Sequence, residues 1–374
     1  IYYNIRVHYK TRMVVHGVEE SFLRNRRHIS AVAAPDNEYP KKTKRNKVSQ
    51  MEKYLLESNI DGLKFLAISE GGLVHDAHRR KVWPALLGIT MLETLVPPTS
   101  EDILNHKDYH QVVMDVNRSL KRFPPCISDE QRPGLQEQLT RIIIRVLGAH
   151  PELCYYQGYH DVAITFLLVV GEEMGFRILE KLSLSHLKPF MASTMEETSY
   201  FLQFMYPIIK RENSELFDFI EESDLGTIFS LPWVITWFGH VLNDYSDVVR
   251  LYDYFMVQPP EMSIYFATAL VLFRSSEILE RCERDMASIH SLLGRIPLRL
   301  PFEDLIKDSL RLYEKYNLKS LAKEVDQRIQ RENDQINDRR KMISTMRHGR
   351  LGFKKLYLLK IVGKIALLST PVIL

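Results

Sequence analysis

Between about residue 48 and residue 325, apolar side chains recur at three- and four-residue steps and strict two-residue alternation is rare. That period lays the apolar residues along one stripe of each helix and leaves no half-buried strands to pair, so the chain must bury its core by packing helix on helix. An all-α fold of many helices is therefore expected. The clearest predicted helices cover residues 77–87, 109–122, 134–147, 159–170, 196–210 and 214–222. An earlier pair covers 48–59 and 63–68, with Asp61-Gly62 as the expected stop between them. Prolines at 84, 124, 125, 133, 151, 189, 207 and 232 mostly fall where helices would start, stop or kink. Residues 159–170 are almost wholly apolar yet too few to cross a bilayer, so they predict a buried core helix.

The ends differ from this middle. Residues 1–47 precede it, the first forty of them without a sustained period. A linker-like Ala33-Ala34-Pro35-Asp36-Asn37-Glu38-Tyr39-Pro40 stretch leads there into Lys41, Lys42, Lys44, Arg45 and Lys47, which predicts a basic, unstructured segment. The first ten residues lack the apolar run of a secretory signal. After the helical domain over 48–325 comes a charged helical linker over 326–353. Ile329, Ile336 and Ile343 repeat there at seven residues, but Val325, Glu332, Arg339 and Met346 at the companion positions make a poor second half of a coiled-coil seam, and a solvated helix is expected. Residues 354–374 are apolar and basic, interrupted by Lys360, Lys364 and Pro371, and are a candidate membrane anchor or interfacial segment.

Composition narrows the chemistry. A net charge of +3 over 374 residues does not suit a nucleic-acid binder, and three cysteines without a close pair suit neither a disulfide framework nor a zinc site. Neither G-x-x-x-x-G-K-[ST] nor G-x-G-x-x-G occurs, so no nucleotide site or cofactor of its own is expected. The pairs His75 and His78, His106 and His110, and His150 and His160 invite a metal reading but lack a third ligand at useful spacing. No G-x-S-x-G elbow supports a serine hydrolase.

Two short runs each deliver polar side chains from apolar surroundings: Val112-Val113-Met114-Asp115-Val116-Asn117-Arg118 and Tyr155-Tyr156-Gln157-Gly158. Asp115 lies three residues before Arg118, a helical spacing that lets a carboxylate orient a guanidinium, though it serves a surface salt bridge equally well. Val112, Val113 and Val116 give that helix an apolar back. Gln157 stands beside Gly158 at a helix start, where free N–H groups face an anion and an amide can donate to phosphate while accepting from water. The bland alternative is a turn in which Gln157 satisfies backbone groups. Phosphoryl transfer needs charge neutralisation and an aimed water, so an arginine followed about forty residues later by a glutamine is the minimum equipment needed to hydrolyse a GTP held by another protein.

The two runs, with Arg79-Arg80-Lys81-Val82-Trp83 before them, resemble the R-x-x-x-W, I-x-x-D-x-x-R and Y-x-Q-G boxes of the TBC-domain GTPase-activating proteins for Rab GTPases. Val112 stands where isoleucine is usual, and Tyr159 follows the glycine where many members carry methionine. The likeness extends over residues 50–325, including Trp233-Val234-Ile235-Thr236-Trp237-Phe238 and Arg250-Leu251-Tyr252-Asp253-Tyr254-Phe255. It implies a Rab GTPase in its GTP-bound state as partner, carrying the GTP and magnesium. It implies Arg118 as the group that neutralises phosphoryl charge and Gln157 as the one that orients water. Asp115, Tyr155 and Gly158 would support them, Trp83 as core and Arg79 as a partner for carboxylates such as Asp115. Residues 155–161, 165–172 and 235–242 look like a subgroup associated with the endoplasmic reticulum, implying traffic between that organelle and the Golgi and a place on the cytosolic face of its membrane. A helical scaffold that binds the same partner without accelerating hydrolysis is the alternative.

Overall fold

The computed structural model describes residues 41–89, 98–119 and 128–348. Every regular element among them is helical. In order these are α1 (Lys41–Leu56), α2 (Ile60–Ile68), α3 (Asp76–Leu86), α4 (Ser100–Leu104), α5 (Tyr109–Ser119), α6 (Arg132–Ala149), α7 (Tyr159–Val170), α8 (Glu172–Ser183), α9 (Glu196–Gln203), α10 (Met205–Glu212), α11 (Ser214–Glu222), α12 (Leu231–Ile235), α13 (Tyr245–Phe255), α14 (Met262–Phe273), α15 (Ser275–Arg281), α16 (Met286–Leu293), α17 (Phe302–Lys315) and α18 (Leu318–His348). The described residues divide into two compact units that part between Leu321 and Ala322.

In the first unit α7 and α14 have no polar face, and nearly every side chain they carry is buried. A helix apolar all round must be covered on all sides. Accordingly α5, α6 and α8 pack around α7, and α17 runs along α14. Between them lies an aromatic cluster in which Phe266 meets Phe238 and Phe255 edge-on at 5.1 and 5.7 Å.

Several predicted boundaries move. The basic run at 41–47 is not an unstructured end: it forms the first turns of α1, and Lys47 is only 7% exposed. Asp61-Gly62 does not stop a helix. Ser58 at φ 50° breaks the chain, and Asn59 caps α2 by accepting the Gly62 N–H at 2.8 Å. The span 196–210 is two helices meeting at Phe204, because Pro207 has no N–H to give the carbonyl of Gln203. Helix α5 is described only to Ser119, so the rest of the predicted 109–122 helix lies outside the described residues.

The described part of the second unit is the continuation of α18. It is laced along its own length by charged pairs such as Arg328 with Glu332 and Lys341 with Asp338, the pattern of a solvated helix. Residues 354–374 lie outside the described residues. Among the described residues no single helix is long and apolar enough to cross a membrane.

Candidate functional site

Helix α5 is amphipathic, and its polar boundary falls inside the motif. Val112 and Val116 are buried, while Met114, Asn117 and Arg118 face outward. Asp115 is 1% exposed and accepts from Gln111 Nε2 at 3.0 Å and from Tyr155 Oη at 3.1 Å. The expected pairing of Asp115 with Arg118 therefore does not form among the described residues. Three residues along a helix leave about 60° between side chains, enough here to send the carboxylate into the core and the guanidinium outward. Arg118 is exposed in the last turn of a helix whose other face is anchored on α6 and α7.

The Gln157 turn is held from behind. Tyr156 Oη donates to the carbonyl of Ile235 at 2.7 Å, and Tyr159 N donates to the carbonyl of Tyr156 at 3.1 Å, closing the chain around Gln157 and Gly158. Gly158 has φ 102°, and a Cβ there would come within 2.8 Å of Thr236 Cγ2. Both the backbone and the close approach therefore require glycine. Gly158 opens α7, and its carbonyl accepts the Asp161 N–H at 3.0 Å. Gln157 is exposed at this helix start.

One phenol joins the two motifs. Tyr155 Oη, besides reaching Asp115, lies 2.9 Å from His160 Nδ1. Burial first, then the neighbouring Asp115, pushes the Tyr155 phenol far above the ordinary tyrosine range, so it stays protonated. Asp161 Oδ2 is 2.8 Å from His240 Nδ1, and His240 N donates to Thr236 Oγ1 at 3.2 Å. The segment that backs the turn contains Trp237 at φ 48° and Phe238 at φ 65°, two buried aromatic residues in the left-handed region. Strain of about 1–3 kcal/mol per residue persists there only because the aromatic core holds both rings.

Arg79 is placed elsewhere than expected. Its partner is not Asp115 but Asp253, wholly buried, which takes Arg79 Nε at 3.0 Å and Nη2 at 2.8 Å; Asp76 takes Nη1 at 3.0 Å. Trp83 is also buried and donates Nε1 to the same Asp253 at 2.8 Å, and the Leu73 N–H adds a further bond at 2.9 Å. Arg250 clamps Glu303 at 2.7 and 2.9 Å and reaches the carbonyls of Ala67 and Ile68 at 3.0 and 2.9 Å. Lys47 Nζ donates to the carbonyls of Ser69 and Glu70 at 3.2 and 2.8 Å. These residues pin α1, α2, α3 and α13 together and belong to the frame of the site.

Sequence reasoning missed Asp253, Arg250 and Glu303, although the first two stand in a run already singled out. It also missed His160, Asp161, Thr236 and His240. His150 and His160, weighed together as a metal pair, serve separate elements: His150 Nε2 lies 3.0 Å from Glu180 Oε1, while His160 faces Tyr155.

Residues 76–279 match the model of the Rab-GTPase-TBC domain, a span holding both motifs and the Arg79 to Trp83 box. The human and mouse proteins called TBC1 domain family member 20 are each 49% identical to this chain over 285 residues, covering 75% of it and 70% of each of them. The GTPase-activating protein gyp10 of Schizosaccharomyces pombe is 30% identical over 262 residues, covering 68% of this chain and 69% of that protein. Among solved structures, the Ypt/Rab-GAP domain of Gyp1p aligns with a TM-score of 0.60 at 16% identity, over 73% of this chain and 99% of that one. The TBC domain of Skywalker/TBC1D24 from Drosophila melanogaster gives 0.53 at 14% identity, over 75% and 95%. These two structures speak to the fold alone.

Proposed function

We propose, since the chain belongs to the Rab-GTPase-TBC domain family, that it accelerates GTP hydrolysis by a Rab-type GTPase, with Arg118 and Gln157 reaching into the partner's nucleotide site. The transferred phosphoryl group spreads negative charge over its equatorial oxygens, and a guanidinium neutralises it while presenting N–H donors in a plane. The Gln157 amide can donate to a phosphate oxygen and accept from the attacking water, and so can supply water positioning from outside the GTPase. GTP and magnesium come with the partner, and this chain contributes no cofactor of its own.

The observation that carries this reading is the mounting of the two side chains. Arg118 and Gln157 are both exposed, each stands beside buried residues of its own element, Val112 and Val116 for the first and Gly158 and Tyr159 for the second, and Asp115 and Tyr155 join those elements at 3.1 Å. A pair preorganised in this way can meet developing charge without rearranging. The test is single-turnover GTP hydrolysis by a panel of GTP-loaded Rab proteins with and without the chain. Binding without acceleration by any of them would favour the non-catalytic scaffold.

The same proposal puts the protein on the cytosolic face of the endoplasmic reticulum membrane, in traffic to the Golgi. Its support is the likeness of residues 155–161, 165–172 and 235–242 to a subgroup associated with that organelle, together with the apolar, basic stretch 354–374. Carbonate extraction of the full chain tests this, with a chain ending at Arg340 as control. Release of the full chain by salt alone would rule out insertion.

A further inference from the structure

The polar chain that joins α5 to the Gln157 turn has an inner member outside the three sequence boxes. Tyr155 Oη is 3.1 Å from Asp115 Oδ2 and 2.9 Å from His160 Nδ1. A carboxylate offers only acceptors and a phenol has a single hydrogen. Tyr155 therefore gives its hydrogen to Asp115 and must accept at the other side, which makes His160 Nδ1 the donor. The opposite arrangement would set a phenol lone pair against a buried carboxylate oxygen.

His160 is built for that task. It is 6% exposed and sits in the first turn of α7, two residues after Gly158, so it moves with the glutamine turn. Its other ring nitrogen, Nε2, lies 3.5 Å from Asp161 Oδ2, the atom that His240 Nδ1 approaches at 2.8 Å. Burial holds its pKa below the ordinary histidine value, with Asp161 and Asp115 opposing. The Nδ1–H is present in the Nδ1-protonated neutral form and in the cation alike, and in the cation Nε2 also carries a hydrogen toward Asp161 Oδ2.

We propose that His160 is a positioning residue for the GTPase-activating site: by filling the acceptor side of Tyr155 it aims the phenol hydrogen at Asp115 and locks the Arg118 helix to the Gln157 turn. This rests on the activity proposed above. Without the donor, the acceptor side of Tyr155 Oη is left unfilled in a half-buried place and the bond to Asp115 loses its fixed direction. The separation of the two reaching side chains then drifts, and misplacement of about 1 Å is worth about 100-fold in rate. His160 itself touches neither GTP nor water.

The test uses the full chain with GTP-loaded Rab and four variants: His160→Leu, His160→Asn, Tyr155→Phe, and His160→Leu with Tyr155→Phe. His160→Leu is expected to lower the maximal stimulated rate about tenfold while the half-saturating concentration moves less than about twofold, the signature of lost geometry and not of lost binding. Asparagine, whose Nδ2–H falls near the Nδ1–H, should restore most of the rate. The double variant should be no slower than Tyr155→Phe alone, because both break one chain. Nitrogen-15 NMR of the wild-type imidazole should show the proton on His160 Nδ1, a readout that does not depend on turnover or on the leucine variant folding. Equal rates for the leucine and asparagine variants, multiplicative losses in the double variant, or a proton on Nε2 alone would each overturn the proposal. If the wild type is active, Arg118→Ala is dead and His160→Leu is unimpaired, this inference falls and the activity stands; if the wild type stimulates no GTPase tried, both fall.

Discussion

Arg79 and Asp253, separated by 174 residues in the chain, meet in the core with Nη2 and Oδ2 2.8 Å apart. One carboxylate thus gathers a guanidinium, the Trp83 indole and the Leu73 amide. Removing one partner of a buried pair leaves the other charge uncompensated, so Asp253→Ala should destabilise the fold by about 3–5 kcal/mol. Urea denaturation followed by circular dichroism measures this, and a loss under about 1 kcal/mol would contradict the buried-pin assignment.

Arg118→Ala should behave in the opposite way. Its exposed side chain adds little to the core, so the melting curve should stay within experimental error while stimulated hydrolysis falls about 1000-fold or more. Arg118→Lys should recover little, since a point charge does not reproduce a planar fork. Full activity in the alanine variant would remove Arg118 from the proposed site.

Gln157→Ala should lower the maximal rate far more than it weakens the complex, because water positioning matters when the nucleophile attacks. Titration of activator at fixed Rab–GTP separates the two. Equal losses in rate and affinity would make Gln157 a binding or structural residue instead.

Gly158→Ala should reduce both stability and activity, since the new methyl group would meet Thr236 Cγ2 at 2.8 Å on a backbone held at φ 102°. Thr236→Ser removes that methyl partner and keeps the hydroxyl that accepts from His240 N. The double variant should therefore recover part of the stability, the remainder being left-handed strain of about 1 kcal/mol. No recovery in a thermal melt would show that the contact is not the obstacle.

Burial first, then the nearby Arg250, pushes Lys47 down to about 8 from 10.5. Above pH 8 the folded chain has released this proton while the unfolded chain keeps it until about pH 10.5, so the Lys47 contribution to stability rises with pH across that window. Lys47→Met should abolish that rise. Comparing urea midpoints of the two proteins between pH 7.5 and 10 isolates it, and parallel curves would show that Lys47 does not titrate there.

The helical fold was legible because a period of three to four residues runs through so much of the chain, and the limits of α7 and α11 could be read to the residue. The site was legible in part. Arg118 and Gln157 stand out as polar residues in apolar runs, but burial decides which way Asp115 turns, and spacing alone does not show burial. The Arg79 partner is hidden for a related reason: a carboxylate 174 residues away leaves no local pattern. Nor does any propensity lead one to expect left-handed backbone at Trp237 and Phe238, where bulky residues resist it and tertiary packing prevails.

The Lys47, Ala67, Ile68 and Leu73 contacts also bear on where this domain can be cut. The matched span opens at residue 76, yet the carbonyls that receive the Arg250 guanidinium and an amide that reaches Asp253 all precede it. A fragment trimmed to the matched span would keep the Arg79–Asp253 pair but take from Arg250 both carbonyls and Glu303, so the frame of the site begins with α1. A protease nick in the loop after α1 or after α2 would then be felt at α13, on the far side of the sequence.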